Sequence, residues 1–178
     1  RRLHRAHLDH HVVVFRDQRI TPARQVEFSR RFGPLQIHVL RNYQLAGHPE
    51  VLIVSNILEN GQPIGLGDAG AYWHSDLSYK DKPSLGSLLH AQELPSEGGD
   101  TLFANQYQAW EELPAALKQA VGDRQGIHSA RRGYSKAGRY GEKDQGRSMA
   151  IIHSDSALAT QLHPIGKRHS ETGRVALF

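Results

Sequence analysis

The sequence feature that most constrains the fold is a histidine and an aspartate with one residue between them, His74 and Asp76. They follow residues 60–70, a stretch rich in glycine that predicts a loop. On a strand, residues i and i+2 point to the same face, so both side chains can reach one ion. One imidazole and one carboxylate are two of the three ligands of a 2-His-1-carboxylate site. Such a site suits Fe(II), because it leaves coordination positions open.

Taken alone, this tripeptide is a weak signal, because a histidine and an aspartate at this spacing often form only a polar pair at a protein surface. A second copy occurs at residues 153–155. A zinc hydrolase is an alternative metal enzyme, but zinc would need a third protein ligand and a general base near its bound water. The sequence has no His-Glu-x-x-His motif to supply them, which favours iron over zinc.

The basic character of the chain leaves a non-enzymatic alternative. Its 178 residues carry 22 lysines and arginines against 18 acidic residues, a net charge of +4. A basic module could bind nucleic acid or another polyanion through residues 131–147, although no nucleic-acid motif accompanies them. The absence of cysteine excludes disulfides and thiolate metal sites and fits a reducing cytoplasm. No apolar run has the length of a membrane span, so we expect a cytoplasmic protein without membrane or nucleic-acid partners.

Capping residues predict the helices. Thr21 followed by Pro22 is a typical N-cap and first helical position, for a helix that reaches Phe32 before Gly33. Asn105 can cap a helix that continues through Trp110. Further helices are predicted over residues 2–10 and 113–121.

Runs of β-branched and other apolar residues predict strands at residues 12–15, 51–54, 85–91, 101–103 and 175–178. Residues 60–70 are predicted to form a loop without regular structure, and the polar, basic residues 131–148 a mobile loop with the character of a lid. Many short strands and few helices favour a mainly β fold with flanking helices, of the α+β class. Pattern alone does not separate a barrel from a sandwich.

The order of several short motifs resembles the taurine dioxygenase (TauD/TfdA) family over nearly the whole chain. The motifs are Phe-Arg-Asp-Gln at 15–18, Arg-Phe-Gly at 31–33, Trp-His-Ser-Asp at 73–76, Leu-Pro at 94–95 with Gly-Gly-Asp-Thr at 98–101, His-Pro at 163–164 and His-Ser-Glu-Thr-Gly-Arg at 169–174. The resemblance implies one domain over residues 1–178 with a double-stranded β-helix, or jelly roll, that is incomplete at both ends. The second copy at residues 153–155 falls in the family's variable lid region, so we interpret it as structural or solvent-facing.

The resemblance also implies a cofactor and a set of ligands. His74 and Asp76 match the family's iron ligands, and Thr101 matches the threonine that binds a carboxylate of the cosubstrate 2-oxoglutarate. O2 is the other cosubstrate, with succinate and CO2 as co-products, and no catalytic residue is expected beyond the metal ligands. The family's second metal histidine and its 2-oxoglutarate-binding arginine lie well beyond the position that matches Phe178, so we expect them in a further C-terminal segment.

For the substrate, the resemblance implies a small anionic organic molecule. His38 and Tyr134 match residues that contact the substrate in taurine dioxygenase itself. Two other substrate residues of that enzyme, an asparagine and a tyrosine, are replaced here by Gly70 and Arg41. Arg41 could pair with an anionic group, so another sulfonate, an alkyl sulfate or an aryloxyalkanoate fits these positions at least as well as taurine does. We also expect a homo-oligomer.

Overall fold

The structure is a computed structural model of the chain, and it describes residues 1–38, 41–67, 69–70, 72–138 and 155–178. Within these residues, helices and short strands are mixed. The helices are α1 (Arg2–His10), α2 (Pro22–Ser29), α3 (Gln106–Glu111), α4 (Ala115–Val121) and α5 (Arg131–Tyr134). The strands are β1 (Gln44–Leu45), β2 (His48–Leu52), β3 (Leu58–Glu59), β4 (Gln62–Pro63), β5 (Gln125–Ser129), β6 (Thr160–Pro164), β7 (Gly166–Arg168) and β8 (Val175–Leu177).

The helices begin where the capping residues predict. The Thr21 hydroxyl accepts a hydrogen bond of 3.3 Å from the backbone N–H of Arg24, at the start of α2. The Asn105 carboxamide oxygen accepts from the backbone N–H groups of Tyr107 and Gln108, at the start of α3. These bonds satisfy amides that have no partner within the helix. The predicted helices at α1 and α4 are likewise confirmed.

The strands form antiparallel pairs, each from two strands that follow one another along the chain. In the described residues β1 pairs with β2, β3 with β4, β5 with β6, and β7 with β8, and no pair joins another into a larger sheet. The predicted strand at 51–54 is present only as the end of β2, and the one at 175–178 is confirmed by β8. The longest pair, β5 with β6, was not predicted, and it sets Gly126 opposite His163.

Three predicted strands, at residues 12–15, 85–91 and 101–103, are wrong, because the structure leaves these segments outside regular elements. Their side chains are largely exposed, at 71% for Val14, 77% for Leu89 and 70% for Leu102. A β-branched or apolar run shows only that a segment fits a pleated surface. A strand also needs a neighbour for its backbone hydrogen bonds, and these segments have none in the described part of the chain.

The prediction of residues 60–70 as a loop without regular structure is wrong at residues 62–63, which form β4, and at Leu66, which forms an isolated β-bridge with Val54. Asn60 and Gly61 both have positive φ, 51° and 76°, which suits the tight turn of the β3–β4 hairpin. Leu66 then forms two hydrogen bonds to the segment beside it. Its N–H donates to the carbonyl of Ile53 and its carbonyl accepts from the N–H of Ser55, each at 3.0 Å. The prediction missed this because it took glycine only as a breaker, whereas Gly61 permits the turn that closes the hairpin.

The best-defined apolar cluster lies beneath this segment. Leu66 and Tyr43 are 4% and 6% exposed, and Leu52 packs against them. The cluster therefore anchors the start of the segment that leads to His74. Of the helices in the described ranges, none has the length together with the apolar character that crossing a bilayer would demand.

His11, directly after α1, should make the fold sensitive to acid. Its Nε2 atom is buried without a hydrogen-bond partner among the described residues, and its ring lies 5.0 Å from that of Tyr107. Burial, followed by the positive charge of Arg174 and neighbouring histidines, lowers the pKa of His11 below its usual value. Because the folded protein resists a proton that the unfolded chain accepts, stability should fall as the pH drops below about 6.5 towards the lowered pKa.

The measurement is the Tm at pH 7.5 and 5.5 for the parent protein and a His11→Asn variant. Asparagine tolerates the positive φ of 66° at this position but does not titrate. The parent should lose more thermal stability on acidification than the variant. Equal losses in the two proteins would show that His11 does not contribute to acid sensitivity.

Candidate metal centre

The histidine and aspartate of the sequence motif lie against each other. His74 Nε2 is 3.3 Å from Asp76 Oδ1. On the other side of the ring, His74 Nδ1 is 2.7 Å from the carbonyl oxygen of Tyr72. A carbonyl can only accept, so Nδ1 carries the hydrogen and donates it. In the neutral ring, the lone pair of Nε2 then faces a carboxylate oxygen, and a metal ion between the two atoms would stabilise this arrangement.

The separation of these two atoms fits a shared metal ion. Bonds of about 2.1 Å place neighbouring ligand atoms about 3.0 Å apart at a right angle and about 3.4 Å apart at the tetrahedral angle, and the 3.3 Å observed lies between these values. A histidine that ligates through one nitrogen usually donates its other N–H to a carbonyl or carboxylate, which fixes the ring. The Tyr72 carbonyl is placed to do this for His74. The donor set of one imidazole nitrogen and one carboxylate oxygen therefore fits Fe(II).

The two side chains converge by a route other than the predicted one. His74 lies in an irregular segment and Asp76 begins a turn, so the prediction that a strand aligns them is wrong. In that turn Leu77 has a positive φ of 56°, and the Lys80 N–H donates to the Leu77 carbonyl at 2.9 Å. The irregular backbone of residues 74–76, rather than strand alternation, brings the carboxylate to the imidazole, and the turn after Asp76 then carries the chain away from the pair.

The pair does not form a complete site by itself. Among the residues that the structure describes, no group of three His, Cys, Asp or Glu side chains could hold a metal ion. His74 and Asp76 are also accessible, with 39% and 63% of their side-chain surface exposed. A facial triad needs one further protein ligand, so these two residues would supply two of three.

Several side chains surround the pair. Burial lowers the pKa of His38, while the nearby charges of Asp76 and Lys80 act on it in opposite directions. Burial also raises the pKa of Tyr134, with further contributions from Tyr79, Tyr72 and Asp76, and it raises that of Tyr79, with a contribution from Asp76. The charge of Asp76 contributes to the pKa of both His38 and Tyr134, so both residues lie in its neighbourhood. Tyr79 and Lys80 were not predicted, and the only available signal was their position three and four residues after Asp76.

Arg41 and Thr101 stand apart from this group. Arg41 opens a short 3-10 turn, Arg41–Tyr43, and its side chain is exposed. Thr101 is exposed and follows Gly98 and Gly99, both with positive φ. In the described ranges, no hydrogen bond or ion pair connects either side chain to His74 or Asp76.

Two predictions concern residues only partly covered by the structure. In the second His-x-Asp copy, residues 153–154 lie outside the described residues, and Asp155 begins a 3-10 turn, Asp155–Leu158. The loop predicted at 131–148 is wrong at its start, where α5 forms over Arg131–Tyr134. The Ala130 carbonyl accepts from the N–H of Tyr134 at 2.8 Å, which closes a helical turn that the glycine and charge pattern did not indicate. Residues 139–148 lie outside the described residues.

Comparison with known proteins identifies relatives of this chain. The chain is 37% identical to pentalenolactone F synthase of Streptomyces avermitilis, over 96% of the chain and 59% of that protein. It is 33% identical to the (S)-phenoxypropionate/alpha-ketoglutarate-dioxygenase of Sphingobium herbicidovorans, over 99% of the chain and 60% of that protein. It is 29% identical to an alpha-ketoglutarate-dependent sulfonate dioxygenase of Saccharomyces cerevisiae, over 88% and 38%. The chain thus spans about three fifths of the length of the first two relatives.

A family model provides the broader assignment. The model described as "Taurine catabolism dioxygenase TauD, TfdA family" matches residues 1–178, the whole of the sequence. Its match includes the segment that carries His74 and Asp76 and the segment that carries Thr101. The chain belongs to the TauD/TfdA family.

Proposed function

We propose that the full-length protein is an Fe(II)- and 2-oxoglutarate-dependent dioxygenase that hydroxylates a small anionic organic substrate, with succinate and CO2 as co-products. The observation that carries this proposal is the His74–Asp76 pair, whose nitrogen and oxygen lie 3.3 Å apart with the imidazole already oriented by a backbone carbonyl. Family membership supports it, as do relatives whose names specify alpha-ketoglutarate, another name for 2-oxoglutarate.

In this proposal each side chain has a defined task. His74 and Asp76 hold the metal, and the Tyr72 carbonyl keeps the hydrogen of His74 on Nδ1 so that Nε2 remains free to bind. When bound, iron and 2-oxoglutarate supply the oxidising chemistry that no protein side chain offers. Thr101 donates its hydroxyl to a carboxylate of 2-oxoglutarate.

The remaining ligands belong to the same proposal. We propose that the second metal histidine and the 2-oxoglutarate-binding arginine follow Phe178 in the full-length protein, where they complete a jelly roll around the iron. The support is the length of the relatives, of which this chain covers about three fifths, and the two-ligand geometry of His74 and Asp76. Metal analysis would test this proposal, because the full-length protein should bind Fe(II) and a variant truncated after Phe178 should bind it only weakly.

The substrate should combine an anionic group with an aromatic body. His38 and Lys80 offer a donor and a positive charge to the anion, and Arg41, although it stands apart from them in the structure, could pair with an anionic group of the substrate. Tyr79 and Tyr134, both near enough to Asp76 for its charge to act on them, offer phenol rings on which aromatic groups can pack. Of the three expected classes, sulfonates, alkyl sulfates and aryloxyalkanoates, this arrangement favours the aryloxyalkanoates. A relative named for phenoxypropionate supports the same choice.

The experiment has two stages. Anaerobic addition of Fe(II) and 2-oxoglutarate to full-length protein should produce a weak visible charge-transfer band. Oxygen is then admitted with a phenoxyalkanoate, an alkyl sulfate or taurine, and succinate is measured. We expect the phenoxyalkanoate to raise succinate formation most. Absence of both the band and succinate would refute the dioxygenase, whereas a band with another preferred substrate would correct only the substrate class.

We also propose that the protein acts in the cytoplasm as a homo-oligomer. The chain has no cysteine and therefore no disulfide, which is compatible with a reducing compartment. Sedimentation of the full-length protein tests the second part, because a single species at the monomer mass would contradict it.

A further inference from the structure

Among the described residues, His163 in β6 is a polar residue that is buried, with 5% of its surface exposed. Its Nε2 atom lies 2.9 Å from the backbone carbonyl oxygen of Lys80. Because a carbonyl only accepts, Nε2 carries the hydrogen and donates it. This bond connects positions 83 residues apart in the sequence.

The other nitrogen of His163 is occupied as well. Its Nδ1 atom is 3.4 Å from Nζ of Lys167, and an ammonium group can only donate, so Nδ1 accepts. The same Nζ lies 3.9 Å from the centre of the Phe178 ring, where the face of the ring attracts a positive charge. Lys167 is therefore held over His163, and it favours the tautomer that presents an N–H to Lys80.

Aromatic packing fixes the plane of the ring. The ring centre of His163 is 5.3 Å from that of His128 and 5.1 Å from that of Phe178, in both cases nearly edge to face. His128 lies on β5, the partner strand of β6. The donor of His163 is thus attached to the β5–β6 pair and cannot follow a movement of residue 80 without disturbing this packing.

The carbonyl that His163 holds belongs to the turn after the metal-binding carboxylate. That turn runs from Asp76 to Lys80, is closed by the bond from the Lys80 N–H to the Leu77 carbonyl at 2.9 Å, and contains the left-handed Leu77. Asp76 itself is 63% exposed. Apart from the contact of its carboxylate with His74, its position therefore depends on the backbone that holds it.

We propose that His163 is a positioning residue for the metal site: by holding the Lys80 carbonyl, it ties the Asp76–Lys80 turn to the β5–β6 pair and keeps the Asp76 carboxylate beside His74. The part of this proposal that concerns metal binding rests on the proposed function. The part that concerns the turn does not, because the hydrogen bond is present without a metal. Fixing a ligand through its supporting residues is a common means of raising metal affinity.

The test uses two variants of full-length protein that differ by one methylene. In His163→Gln the amide NH2 group can take the place of Nε2–H and reach Lys80. In His163→Asn the shorter amide stays near the position of Nδ1 and does not reach it. Both variants are smaller than histidine and lose similar packing. His128→Asn is the matched control, because His128 packs on the same rings but makes no bond to the turn.

Two quantities are measured: hydrogen–deuterium exchange of the backbone amides at residues 77–80 in metal-free protein, and the Kd for Co(II), a spectroscopic substitute for Fe(II). We expect His163→Asn to exchange at least about tenfold faster at these amides and to bind Co(II) about tenfold more weakly. His163→Gln should stay within about threefold of the parent in both, and so should His128→Asn, which removes part of the packing around His163 but not its bond to Lys80.

Several results would overturn the proposal. It fails if His163→Gln loses as much as His163→Asn, if neither variant differs from the parent, or if His128→Asn has an equal effect. If His163→Asn does not fold, His163→Gln decides, since it must retain the parent's protection and affinity. If the parent itself binds no Co(II), the proposed function fails, while amide exchange in the metal-free proteins still tests the role of His163.

Discussion

Replacing His74 with alanine in the full-length protein is expected to remove Fe(II) binding and, with it, all measurable succinate formation. Loss of a residue that merely supports a ligand typically costs 10- to 100-fold in metal affinity, so loss of a ligand itself should cost more than about 100-fold. Asp76→Asn should have an effect of similar size, since an amide oxygen carries no charge to neutralise the metal. Equilibrium dialysis against Fe(II) under anaerobic conditions measures the affinity, and succinate formation measures the activity.

The chain contains its own control for this experiment. Residues 153–155 repeat the His-Ser-Asp tripeptide, so His153→Ala removes the same side chain from the same local sequence. This variant should bind Fe(II) and form succinate like the parent. If His153→Ala abolished binding while His74→Ala did not, the metal would belong to the second copy and the 3.3 Å pair would be an ordinary ion pair.

The helix starts could be predicted from sequence because they depend on hydrogen bonds between residues close together in the chain. Thr21 and Asn105 were predicted to start helices because their side chains can bond to amides two or three residues ahead, and both do. Such bonds need nothing from the rest of the chain. The strands failed for the opposite reason: the runs at 12–15, 85–91 and 101–103 have suitable side chains but lack a partner in the described structure.

The candidate site likewise has a part that could be predicted from local sequence and a part that could not. His74 and Asp76 could be selected from sequence because their spacing is local, although the turn that follows them contains a left-handed Leu77 that no simple pattern predicts. The contact between His163 and Lys80 spans 83 residues and arises only when β6 pairs with β5. Sequence patterns alone contain no signal for such a contact.

Gly65→Ala is expected to lower stability substantially, because residue 65 lies where two backbone segments meet. A Cβ atom there would stand 2.8 Å from the carbonyl oxygen of Ile53 and 2.9 Å from the nitrogen of Ser55. Real Cβ contacts are essentially never that short, and backbone atoms cannot turn aside as a flexible side chain can. The methyl group should therefore separate Leu66 from its hydrogen bonds to Ile53 and Ser55 and loosen the cluster beneath it.

Overpacking of this kind costs about 1–3 kcal/mol, which in a chain of this length lowers the Tm by roughly 2–12 °C. Gly86→Ala is the matched control, since its nearest neighbours, atoms of the His7 ring, would be at an ordinary 3.9 Å. Thermal unfolding of both variants against the parent measures the difference. Because residue 65 precedes the segment that carries His74, the Co(II) affinity of Gly65→Ala should fall together with its Tm. An unchanged Tm for Gly65→Ala would mean that the two backbone segments can separate without loss of stability. The hydrogen bonds and packing of Leu66 would then not be what positions the metal site.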